Sequence, residues 1–179
     1  MPILLALLAA AGGIVFWMMR ARNAAHAAHA AQDLADMAGD VMSAARRFGF
    51  RRRHDEHPVD SLQDRNVAVA GIGLSFLEMG ALPTAEQHEA LLISLQHRLG
   101  MTEPAAREAA ILGRWLMQEC SGAQQGLTRL ARRLYKLGGA NGFSALMDVL
   151  RDVAAKAEGT LAPRQKDALE EIGRIWKLR

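Results

Sequence analysis

Glu78-Met79-Gly80-Ala81-Leu82-Pro83-Thr84 and Ala157-Glu158-Gly159-Thr160-Leu161-Ala162-Pro163 are two versions of one pattern, and their reading decides the fold. Each contains a helix end, a glycine, a spacer, a leucine and a helix start. Glycine beyond a last helical turn closes it in the left-handed conformation without a Cβ penalty. The leucine folds back onto a core, and Thr84 and Pro163 suit the opening positions of a new helix. A corner that occurs twice predicts two related helical hairpins, an internal pseudo-repeat.

Composition agrees with that reading. The chain has 179 residues, of which 50% are hydrophobic and only 5% aromatic, enough for one domain and an appendage. Its alanines and leucines favour helix over sheet, and no stretch alternates β-branched residues for long. The predicted fold is therefore all-α. Cys120 is the only cysteine, which excludes an internal disulfide framework and suits a reducing compartment.

Upstream, Pro2 to Met19 carries no charge. As a helix these residues reach about 27 Å, close to a hydrocarbon thickness of about 30 Å. Trp17 falls where an aromatic ring favours the headgroup layer. A cleaved signal peptide is the rival reading, but no Lys or Arg precedes the apolar run. Arg20 and Arg22 follow it directly, so the positive-inside rule predicts an N-terminus outside and everything beyond the span in the cytoplasm. Residues 1–19 are thus expected to be a transmembrane helix of a single-pass inner-membrane protein.

Residues 20–59 read as a basic, alanine-rich juxtamembrane stalk and linker. His26, His29 and Asp33 share a helical face, a spacing too common to specify a metal without further ligands. Phe48-Gly49-Phe50 breaks the helical pattern. Residues 20–53 hold seven Arg and three Asp, whereas 54–179 hold 15 basic and 16 acidic residues. The excess of positive charge therefore belongs to Arg20, Arg22, Arg46, Arg47, Arg51, Arg52 and Arg53. Beside an anchor, such a cluster predicts attraction to anionic lipid of about 1 kcal/mol per residue near the surface. Nothing in the chain has the form of a nucleic-acid recognition module.

From residue 60 onward the spacing predicts six helices. The first runs from near Ser61 to Met79, with Gly71 and Gly73 permitting close helix approach. The second opens on Thr84 with Gln87 three residues later, a capping box, and buries Leu91, Leu92, Leu95 and Leu99. The third opens on Thr102-Glu103-Pro104 and carries Ile111, Leu112, Trp115 and Leu116. The fourth buries Leu127, Leu130, Leu134 and Leu137. The fifth starts near Asn141 and carries Leu146, Val149, Leu150 and Val153. The sixth starts at Pro163 and spaces Leu169, Ile172, Ile175 and Trp176. Short connections suit neighbouring helices of a bundle.

Chemistry is harder to find. Cys120 has no histidine near it in sequence, and a lone helical cysteine reads as a small buried apolar residue. His88 and His97 lie on nearly opposite faces of one helix. His54 and His57 fall in a charged linker. On the fourth helix Arg129, Arg132, Arg133 and Lys136 lie off the leucine stripe. They form either a face for lipid phosphates or an acidic partner, or a solvated surface whose stems cover apolar neighbours.

The two corners resemble the paired corner of the tellurite-resistance TerB-like domain, whose pattern is Asp-Gly-x-Leu/Ile-Ser/Thr-x-x-Glu. Gly80 and Gly159 match its glycine, and Leu82 and Leu161 its aliphatic position. Pro83 and Ala162 replace the hydroxyl residue. Glu86 matches the final Glu while Met79 replaces the Asp; in the second corner Glu158 stands for the Asp and Gln165 replaces the Glu. The resemblance covers about residues 60–179 and implies a compact all-helical bundle. It also implies an acidic, metal-associated cluster, carried here onto Glu86 and Glu158, with Glu78 beside them.

A hard divalent cation needs several convergent oxygens, and this chain keeps one carboxylate per corner. The plainer role of Glu86 is a charge at a helix N-terminus. The layout of one span followed by a TerB-like domain is also similar to that of membrane-anchored J-domain co-chaperones. The J-domain itself is missing: His57-Pro58-Val59-Asp60 has one residue too many for its His-Pro-Asp tripeptide. The expectation is a membrane-tethered cytoplasmic interaction or scaffold module with a protein partner, no enzymatic activity, no nucleic acid and no bound cofactor. Divalent-metal binding or stress response through Glu86, Glu158 and Glu78 is the alternative.

Overall fold

The structure, a computed structural model, describes residues 38–80, 83–156 and 160–177. The chain divides into two compact units, Met1–Gly39 and Asp40–Arg179. Of the first, only residues 38 and 39 are described, and both are helical. The anchor expected at Pro2–Met19 lies outside the described residues, as do Arg20, Arg22, His26, His29 and Asp33. Among the described residues no helix is long and apolar enough to cross a membrane.

The second unit is all-α among its described residues. Helix α1 occupies 40–47, α2 Pro58–Ser61, α3 Arg65–Glu78, α4 Ala85–Leu99, α5 Glu103–Glu119, α6 Ala123–Gly138, α7 Asn141–Ala154 and α8 Pro163–Ile175. The helices expected from residue 60 onward are present as α3 to α8. The first begins later than predicted. Asp64 caps α3, accepting from the backbone N–H of Asn66 at 2.7 Å and of Val67 at 3.2 Å, and α2 stands apart before it.

Helix α3 is the axis of the bundle. Its residues from Val67 to Leu77 are all buried, because this stretch is apolar around its whole circumference and has no face for water. It packs most extensively on α6 and α5, and also on α4 and α7. Ser75, the polar exception, donates its hydroxyl to the Gly71 carbonyl at 2.8 Å. Small residues set the helix separations. A Cβ on Gly113 of α5 would lie 2.7 Å from Gly71 N and 2.8 Å from Gly71 Cα. A Cβ on Gly73 would lie 2.6 Å from Leu91 Cδ1. The close approach expected at Gly71 and Gly73 is therefore present, with Gly113 as its unforeseen counterpart.

The boundary of the folded unit lies upstream of the expected one. Residues 40–59, read as stalk and linker, belong to the bundle: Ala44 and Val59 are fully buried. The correction follows from Phe48-Gly49-Phe50. Gly49, at φ +60°, ends α1 with the paired bonds Phe50 N–H to Ala45 C=O (2.8 Å) and Gly49 N–H to Arg46 C=O (3.2 Å). That turn sends Phe50 edge-on against Trp115, with ring centroids 5.7 Å apart, and Arg47 pairs with Glu108. Two aromatic side chains beside a capped helix end hold the segment on α5, which its arginine-rich composition concealed.

At the other end Trp176 ties α8 to the α6–α7 connection. Its indole N–H donates to the Gly139 carbonyl at 3.0 Å, and its ring meets Tyr135 and Phe143 at centroid distances of 5.6 Å each. On the opposite flank α4 and α7 are joined by Asp152, which accepts two hydrogen bonds from Arg98 at 2.9 Å and one from Ser94 at 2.7 Å. These bonds, Arg98 foremost, hold the Asp152 carboxyl below the usual aspartate range.

Candidate functional site

Helix α6 is the floor of an open groove of about 1180 Å³. Its leucine stripe, Leu127, Leu130 and Leu134, faces inward and is buried, so the opposite face is left with Arg129, Arg132 and Lys136 exposed and Arg133 half-buried. One wall is the segment around α2, with His57 and Asp60; the other is α8, with Glu171 and Arg174. Five cationic side chains and three carboxylates (Asp60, Glu119, Glu171) line the groove, leaving it net positive.

The four basic residues singled out on this helix do different jobs. Arg129 is paired with Asp60. Arg133 donates its Nε–H to the Leu62 carbonyl at 2.6 Å, closing the turn between α2 and α3. Both fasten the upstream segment to α6. Arg132 Nη2 stands 3.8 Å from Glu171 Oε1, and Arg174 Nη1 3.1 Å from Oε2 of the same carboxylate. Lys136 is exposed and has no ion-pair partner among the described residues.

The upper end of the groove brings together groups far apart in sequence. His57 Nε2 lies 3.1 Å from the Glu119 carbonyl and 3.9 Å from Cys120 Sγ. Its Nδ1 accepts from the Val59 N–H at 3.3 Å as the cap of α2. These partners assign the Nε2–H tautomer: one nitrogen donates to a carbonyl, and the other is already accepting. The ring therefore has no lone pair to offer the thiol. Cys120 is 5% exposed, and burial pushes its thiol up, with the Arg129 charge opposing and Asp60 and Glu119 adding. A cysteine nucleophile needs the reverse, a lowered thiol beside a free base. The neighbouring Ser121 is held at φ +64°, an uncommon conformation for a residue with a side chain.

The two corners meet, through groups that sequence reading did not pair. Gln165 is 5% exposed. Its Nε2 donates to the Phe76 carbonyl at 3.0 Å, at the end of α3, and its Oε1 accepts from the Ala162 N–H at 3.1 Å. Gln87 does the corresponding capping in the first corner, accepting from the Thr84 N–H at 3.0 Å. Matched on helix starts, Gln165 is thus equivalent to Gln87, one place away from the alignment on glycine and leucine that set it against Glu86. Gly80 is not left-handed as expected. It lies instead where a Cβ would stand 3.0 Å from Gln165 Nε2, so its absent side chain admits the amide.

Of the metal candidates, Glu158 lies outside the described residues. Glu78 is exposed beside a smaller cavity of about 510 Å³ that also touches Arg164 and Ser121. Glu86 is exposed in the first turn of α4. Among the described residues no three His, Cys, Asp or Glu side chains are grouped to hold a metal ion. Arg46 is exposed on α1, and Arg51, Arg52 and Arg53 are exposed along the segment between α1 and α2, with Arg53 3.5 Å from Glu56 and Arg52 3.9 Å from Glu119. No protein-family model, curated protein or solved structure matches this chain.

Proposed function

We propose that this chain is a membrane-tethered interaction module of TerB-like type, which holds a protein partner at the cytoplasmic leaflet and performs no chemistry of its own. The observation that carries this reading is the α6 groove. It is large, open and net positive, yet its cysteine is buried with a raised thiol and its imidazole is committed to backbone partners. A surface rich in fixed charge and without an activated nucleophile suits recognition.

The tether is read from the charge-free Pro2–Met19 run with Arg20 and Arg22 behind it. The exposed arginines between α1 and α2 add attraction to anionic headgroups. The TerB-like reading is supported by the meeting of the two corners, where Gly80 lies against Gln165 and where Gln87 and Gln165 cap the two helix starts alike.

Affinity purification of the full chain from membranes in mild detergent tests the proposal. A partner enriched in stoichiometric amount is expected; a monodisperse protein with none enriched refutes it. A reporter fused at Arg179 should be active only on the cytoplasmic side.

A further inference from the structure

Two guanidinium groups from different helices converge on one half-buried carboxylate in the groove: Arg132 of α6 and Arg174 of α8 on Glu171, whose side chain is 23% exposed. Lys136, one turn from Arg132 on the same face, has no such partner among the described residues. Three cations thus face a single resident anion. Arg129 and Arg133 contribute little to this excess, being held by Asp60 and the Leu62 carbonyl.

We infer that the groove docks an acidic segment of a partner polypeptide, and that Glu171 is an internal competitor for its carboxylates. The inference rests on the docking-module reading and names the chemistry of its partner. Glu171 shows the kind of group that Arg132 and Arg174 accept, and an incoming carboxylate takes the same guanidinium edges or the free ammonium of Lys136. Gln124 and Thr128 supply amide and hydroxyl groups for a peptide backbone. From Gln124 to Lys136 the floor is about 18 Å long, the span of five or six extended residues. A nucleic-acid strand fits poorly, since its unbroken line of phosphates would pass Asp60 and Glu119; spaced carboxylates avoid them.

The test uses the full chain in nonionic detergent and a fluorescein-labelled peptide of five Glu-Ser repeats, followed by fluorescence anisotropy at low and physiological salt. Binding should weaken with salt. The double variant R132Q/K136Q should lose affinity about three- to tenfold, each exposed pair being of modest strength. Glu171→Gln should tighten binding about two- to fivefold, since it removes the competitor and raises the groove's charge. A merely structural role for Glu171 would instead weaken it. Thermal melts of both variants should match the parent. Unchanged affinity in R132Q/K136Q, weaker binding by Glu171→Gln, or equally tight binding of decathymidylate overturns the inference. If R132Q/K136Q still enriches the same partner from membranes as the parent, this groove is not the docking surface while the module reading stands. If the parent enriches none, the module reading falls whatever the peptide does.

Discussion

Replacing Gly113 by alanine puts the close crossing of α3 and α5 under direct test. The added Cβ would lie 2.7 Å from Gly71 N, 2.8 Å from Gly71 Cα and 3.3 Å from Ala70 C, all backbone atoms of α3. Ordinary carbon contacts are about 3.5–4.0 Å, so α3 and α5 must part by roughly 1 Å. Helix α3 has little room to retreat, because it is also packed on α6, α4 and α7. Overpacking of this kind costs about 1–3 kcal/mol, and a backbone obstacle belongs at the upper end.

Alanine's better helix propensity returns about 1 kcal/mol, leaving a net loss of about 2 kcal/mol. For a domain of this size that lowers the melting temperature by about 6 °C. Gly173→Ala is the matched control: it is also inside a helix, but a Cβ there meets nothing within 4 Å. It should gain about 0.5–1 kcal/mol and melt a few degrees higher. Far-UV circular dichroism melts of both variants and the parent measure the pair. Should Gly113→Ala melt at or above the parent, or the two variants shift alike, the packing argument is wrong.

Three further outcomes are expected. Gln165→Glu, which installs the acidic residue of the TerB-like pattern, places a carboxylate against the Phe76 carbonyl and should cost about 2 kcal/mol at neutral pH, recovered on acidification as the carboxyl regains a donor proton; urea midpoints at both pH values check this, and equal stability at neutral pH would refute it. The Asp152 carboxyl is held low by Arg98 and Ser94, so its stabilisation is complete above the unfolded aspartate value of about 3.9 and is lost as pH falls through the lower folded value. The advantage of the parent over Asp152→Asn should therefore narrow in acid, and a difference independent of pH would contradict the assignment. Cys120, buried with a raised thiol, should alkylate with iodoacetamide far more slowly in the native chain than in urea at neutral pH; equal rates would mean the thiol is accessible.

Much of the helical layout was legible because its signals are local. Thr84 and Gln87 cap α4 within three residues of one another, Pro163 opens α8, and the Leu127, Leu130, Leu134 stripe faces the core of α6. Gly71 and Gly73 announced close packing, though not the helices they would meet. Helix α3 starts later than the apolar spacing predicts because Asp64, three residues before the apolar run, caps it. The basic face of α6 was visible as a pattern. Its division was not, because Asp60, Leu62 and Glu171, which bind Arg129, Arg133 and Arg132, belong to other elements.

Helix class, helix ends and buried stripes follow from residues a few positions apart, since capping bonds and the 3.6-residue repeat act within one or two turns. Which surfaces touch depends instead on how whole side-chain layers interlock, and a local pattern does not specify its distant partner. Only tertiary structure could set Gly113 on Gly71, join Gln165 to the end of α3, bring His57 to Cys120 and draw residues 40–59 into the bundle. Each of those contacts joins groups far apart along the chain, and the chain order records none of them.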